Sequence, residues 1–176
     1  MRLFGDRARF AVAVEPLRPE APAALQFVGF ELWIGGDLIA SAPEVLATLL
    51  IGQLTLFVDN WRGAQLPSCE LPPVVAFHLM RAMLFYDNEF LTPAECRSMS
   101  RQAARCALLP RLPPFDGADA FLLGGEGQKD RIVYSTEVGQ GVREVVVSRS
   151  EVGAVIEQLA RSHAPFASWS AAGKLE

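Results

Sequence analysis

The sequence predicts an α+β protein, a single domain built on a mainly antiparallel sheet. Strands from both chain ends would form that sheet, and a central helical segment and a C-terminal helix would cover it. Three observations carry this. Alternating apolar runs occur near both ends, helical capping patterns sit in the middle, and no strand alternates with a helix in the βαβ manner of parallel sheets. A chain of 176 residues with 51% apolar and 20% charged side chains can bury a core without metal or disulfide staples.

The elements follow in order. Arg9 to Glu15 reads RFAVAVE, with Phe10, Val12 and Val14 on one face of a strand. LRPEAP, residues 17 to 22, is a loop. Leu25 to Ile34 is a second strand, with Phe30, Leu32 and Ile34 on one face and Gly29, Glu31 and Trp33 on the other. Gly35-Gly36 suits a two-residue hairpin turn whose central positions need positive φ, and Asp37 to Ala40 returns. Ser41-Ala-Pro-Glu44 has the form of a capping box, predicting a helix from there to about Asp59. The apolar run Leu46 to Val58 is too short to cross a membrane and reads as a core helix.

A second helix fits Pro73 to Tyr86. A third starts at the capping box Thr92-Pro-Ala-Glu95 and stops before Pro110. Ala120 to Leu123 is a short strand, and GGEGQK, residues 124 to 129, is a hairpin turn because a strand follows it rather than a helix. Arg131 to Ser135 and Val142 to Val147 pair as a hairpin, expected to lie in the same sheet as the N-terminal one. Ser148 or Ser150 caps a last helix, Glu151 to Ser162, and residues from about 164 to 176 read as a frayed tail.

Chemistry-bearing patterns are scarce. Cys69, Cys96 and Cys106 have no disulfide or zinc spacing, so three thiols in a reducing cytosol is the plain reading. The two histidines, His78 and His163, form no metal-ligand pair. A Cys69–His78 couple stays open as the sole base–nucleophile combination. No cofactor or metal is expected, and no signal or membrane segment is evident, which predicts a cytoplasmic protein.

Charge placement says more. Residues 31 to 95 hold eight acids and two arginines, whereas Arg97, Arg101, Arg105 and Arg111 follow with no acid up to Arg111. Arg97, Arg101 and Arg105 are spaced i, i+4, i+8 and form one helical stripe, either a solvated face or a partner surface. A nucleic-acid groove is disfavoured by the net charge of −4 and by the lack of aromatics interleaved with the stripe. Two similar segments, FVDNW at 57 to 61 and FYDNEF at 85 to 90, end helices. Asx chemistry at helix ends accounts for both. They also place Asp59, Trp61, Asp87 and Glu89 as candidates for an acidic rim with an aromatic anchor.

Three stretches carry a family likeness: FGDRARFAVAVEPL (4 to 17), GFELWIGGDLIAS (29 to 41) and DRIVYSTEVGQGVREVVVSRSEVGAVI (130 to 156). With their strand–GG–strand unit and a REVVV strand before the last helix, they resemble the immunity protein 42 family of bacterial polymorphic toxin systems. The likeness covers the two ends and not the helices from about 50 to 110. It implies a non-enzymatic cytoplasmic antidote that binds and silences a cognate toxin domain, with no catalytic residue to carry over. A basic toxin would suit the acidic rim, with neither nucleic acid nor membrane as partner. The alternative is a small-molecule-binding or enzymatic domain with Arg81, Arg97 and His78 around an anion.

Overall fold

A computed structural model describes residues 1–17, 26–62, 70–85, 92–109, 117–125, 127, 129–137 and 140–163, without the side chains at 61, 62 and 96. Its elements are β1 (Arg2–Asp6), β2 (Phe10–Pro16), β3 (Phe27–Ile34), β4 (Asp37–Leu46), α1 (Ala47–Arg62), α2 (Pro73–Phe85), α3 (Pro93–Cys106), β5 (Asp119–Gly124), β6 (Lys129–Ser135), β7 (Arg143–Ser148) and α4 (Glu151–Ser162).

The α+β class holds, but the strands do not share one sheet. They form a four-stranded antiparallel sheet in the order β1-β2-β3-β4 and a three-stranded one in the order β5-β6-β7. The edges explain the division. β1, which the sequence hid because only Phe4 along it is buried, occupies the free side of β2. β4 forms the opposite edge, where an irregularity sets two residues, Pro43 and Glu44, against Gly29. Proline cannot donate to a ladder and belongs at such edges.

That same irregular strand overturns the expected cap at Ser41. β4 runs on to Leu46, and the helix begins only at Ala47. Ala42 and Val45 turn inward beside Phe30 and Val28, so burial outweighs the local capping pattern. The second box behaves as read. Thr92 Oγ1 accepts from the Glu95 N–H, and the Glu95 carboxylate accepts from the Thr92 N–H at 2.9 Å. At α4 the residue in the cap position, Ser150, makes no side-chain cap bond. The Glu151 carboxylate instead reaches back to the Ser148 N–H.

What the two sheets share is a core. Phe10, Val12, Val14, Phe30, Leu32 and Ile34 pack from the first, and Ala120, Leu122, Ile132, Tyr134 and Val147 from the second. Leu50, Ile51 and Leu54 of α1 and Val152, Ile156 and Leu159 of α4 complete the cluster. The opposite face of the second sheet carries Phe121, Leu123 and Val133. These join a second cluster with Phe77, Met80 and Met83 of α2 and Ala103 and Cys106 of α3. The three-stranded sheet is therefore covered on both sides.

A polar seam ties the sheets at the Gly-Gly turn. Gly35 and Gly36 have φ of 60° and 90°, and a Cβ on Gly35 would lie 2.4 Å from the Tyr134 hydroxyl. That hydroxyl donates to Asp37 Oδ2 at 2.8 Å, and Arg143 pairs with the other Asp37 oxygen. Burial pushes the Asp37 carboxyl up, but the Tyr134 and Arg143 hydrogen bonds and the Arg143 charge outweigh it and hold it below its usual range. The Tyr134 phenol is pushed up to about 12, by burial first and then by Asp37.

Candidate partner-binding surface

The side chains singled out from the sequence are placed unequally. Asp59 is exposed in the last turn of α1. Trp61 follows it in the same turn, but its side chain lies outside the described residues, as do Asp87 and Glu89. His78 is exposed on α2, edge-on to Phe77, whereas Cys69 lies outside the described residues. Arg81, a candidate for anion binding, is taken up within the fold. Its Nε donates to Asp119 Oδ2 at 3.0 Å, and its guanidinium lies 5.5 Å from the centre of the Phe85 ring. Among the described residues no three His, Cys, Asp or Glu gather as a metal site.

The helical layer over the second sheet is the most distinctive surface. α2 has only His78 and Arg81 as polar side chains, so it is apolar nearly all round. Ala76, Phe77, Met80, Met83 and Leu84 cover the sheet. The other half faces solvent: Val74, Val75, Leu79 and Phe85 are 52%, 49%, 40% and 48% exposed, and Leu71 just before the helix is 39% exposed. A helix apolar on every side is normally buried on every side.

Beside it, α3 turns Ala103 and Cys106 inward, with Met99 partly buried, and leaves Arg97, Arg101 and Arg105 exposed. Among the described residues none of the three has a carboxylate within 4 Å, since Asp119 is held by Arg81 and Glu95 by Thr92. The Thr92 hydrogen bonds hold the Glu95 carboxyl below its ordinary range, keeping it ionised in the cap. The arginine stripe was legible from its spacing. The apolar stripe was missed, although a helix with two polar positions in thirteen was the signal for it.

A second open surface is the outer face of the four-stranded sheet. Arg7 lies over the Trp33 ring at 4.6 Å, and the Trp33 indole N–H donates to Glu31 at 3.0 Å. Exposed Leu3 and Leu38 share this face, opposite Ala13 and Trp33 in the ladder.

Residues 1–162 match the family described as Immunity protein 42. This chain belongs to that family. As an immunity protein it neutralises a toxin, so the partner its surface must fit is a protein. The comparison with curated proteins returned no match. Among solved structures the immunity protein is similar to CdiI from Burkholderia dolosa AUO158, with a TM-score of 0.64 and 16% identity over 92% of this chain and 99% of that one. A likeness at that identity supports the fold. No helix among the described residues of the immunity protein is long and apolar enough to cross a membrane.

Proposed function

We propose that this immunity protein silences its cognate toxin by one-to-one occlusion, without chemistry, in the cytoplasm where it is made. The family match over residues 1–162 is the observation that carries this reading. The uptake of Arg81 by Asp119 supports it against an anion-binding pocket. Titration tests it. The cognate toxin domain, sought among the reading frames beside this one and assayed against rising amounts of the immunity protein, should lose activity linearly and reach zero at equal concentrations. Inactivation by catalytic amounts would refute occlusion. The double variant His78→Ala, Cys69→Ala, which removes the sole base–nucleophile couple, should still neutralise the toxin stoichiometrically while keeping its thermal transition.

A steering role for the rim of Asp59, Trp61, Asp87 and Glu89 toward a basic toxin is the rival to contact through the arginine stripe, supported by the exposure of Asp59. Reversing Asp59, Asp87 and Glu89 to Lys should slow association at low salt and matter less as salt shortens the Debye length from about 30 Å to about 3 Å.

A further inference from the structure

We infer that the outward face of α2 and α3 is the contact surface for the toxin, and that the toxin patch it meets is apolar at its centre and acidic along one side. This rests on the immunity reading and adds the place of contact and the partner's chemistry.

The two helices pack on each other and on the same sheet, so their outward faces adjoin. One face presents Val74, Val75 and Leu79 around the exposed His78, with Leu71 and Phe85 at its ends. Such a face is unfavourable in the free protein and favourable once covered. The neighbouring face carries Arg97, Arg101 and Arg105 on one line of α3. Like charges at this spacing repel, and no carboxylate among the described residues relieves them. An acidic partner surface relieves the repulsion and aligns with the stripe. Arginine is also among the residue types in which interface energy concentrates. The charge complementarity selects the occupant: a second copy meeting this face with its own brings three more arginines and, among the described residues, only a Glu95 held in its cap, whereas an acidic toxin patch pairs with the stripe. The open face of the four-stranded sheet is less suited, because its Arg7 and Glu31 already satisfy one another and Trp33.

The test uses the full chain and the toxin domain that it neutralises in the titration above, with calorimetric Kd, protection of cells and thermal transition as readouts. Two variants probe the face, Arg101→Glu with Arg105→Glu and Val75→Asp with Leu79→Asp. Leu3→Asp probes the open sheet face. Each face variant should weaken binding by about tenfold or more with its thermal transition kept, and the arginine pair should also flatten the salt dependence of Kd. Should an aspartate variant unfold, Val75→Thr and Arg101→Gln with Arg105→Gln carry the same expectation at smaller size. The inference is overturned if the wild type binds and protects while both face variants stay within about threefold of it, or if Leu3→Asp is the variant that loses binding. It is equally overturned if the wild type is a dimer that the arginine pair dissociates with toxin affinity unchanged. A wild type that neutralises no toxin domain in that titration refutes the immunity reading itself, a result distinct from the others.

Discussion

Replacing Tyr134 with Phe deletes one oxygen and interrogates the seam between the sheets. Tyr134 is 2% exposed, its hydroxyl donates to Asp37 at 2.8 Å, and burial and Asp37 push the phenol up to about 12. A free phenol titrates near 10. The fold therefore favours the neutral hydroxyl. Its contribution is complete below about pH 10 and is lost as pH climbs from about 10 through about 12. Ionising the buried phenol would therefore cost the fold on the order of 3 kcal/mol. The neutral hydroxyl's hydrogen bond to a charged acceptor contributes about 1.5–3 kcal/mol. Urea unfolding at pH 8 should thus place Tyr134→Phe about 2 kcal/mol below the wild type. Raising the pH to about 11.5 should close most of that gap, because only the wild type has this proton to lose. Groups common to both proteins cancel in the difference. A variant within about 0.5 kcal/mol of wild type at pH 8, or a gap that stays constant up to about pH 11.5, would refute the reasoning.

Gly36→Ala should cost about 1 kcal/mol, the strain of positive φ in open space, whereas Gly35→Ala should cost clearly more because its Cβ meets the Tyr134 hydroxyl. Adding Tyr134→Phe to Gly35→Ala should then cost less than the sum, measurable as a double-mutant cycle. Thr92→Ala should lose about 1 kcal/mol in thermal unfolding, and Ser41→Ala, at an exposed strand position despite its similar sequence context, should lose almost nothing. Asp130 is buried with Oδ2 unbonded, and burial raises its carboxyl against the weaker pull of Arg149 at 3.5 Å. Its charge therefore disfavours the fold above the unfolded carboxylate range, and that penalty fades as pH falls through the raised folded value. Asp130→Asn should be neutral to about 1 kcal/mol stabilising at pH 7, since Arg149 is solvated, with the difference shrinking on acidification.

The reach of sequence reasoning tracked how local each decision was. Thr92 and Glu95 lie three residues apart and settle a helix start between themselves. Ser41 and Glu44 have the same spacing, yet Ala42 and Val45 find Phe30 and Val28 across the ladder, and that longer-range burial prevailed. The division into two sheets was hidden for the same reason. Pairing depends on which edge remains free, and β1, with Phe4 its one buried side chain, carried too faint an alternation to show that β2 was already occupied. At the candidate surface the arginine stripe was readable because charge and spacing together mark an outer face. The apolar half of α2 was not, because Val74 and Phe77 look alike until a sheet covers one and not the other.

The place of α4 in the main core bears on how the protein is born. Val152, Ile156 and Leu159 close the cluster that β2 opens with Phe10 and Val12. The first hairpin leaves the ribosome about 140 residues ahead of them, on the order of ten seconds at ordinary rates of synthesis. Through that interval its inner face has no C-terminal helix or second sheet to lie against. Competence to meet a toxin therefore arrives late and abruptly in translation, with α4, rather than growing as the chain lengthens. A cell that makes this antidote depends on molecules finished earlier, and nascent chains exposing Phe10 and Val12 are natural clients for chaperones.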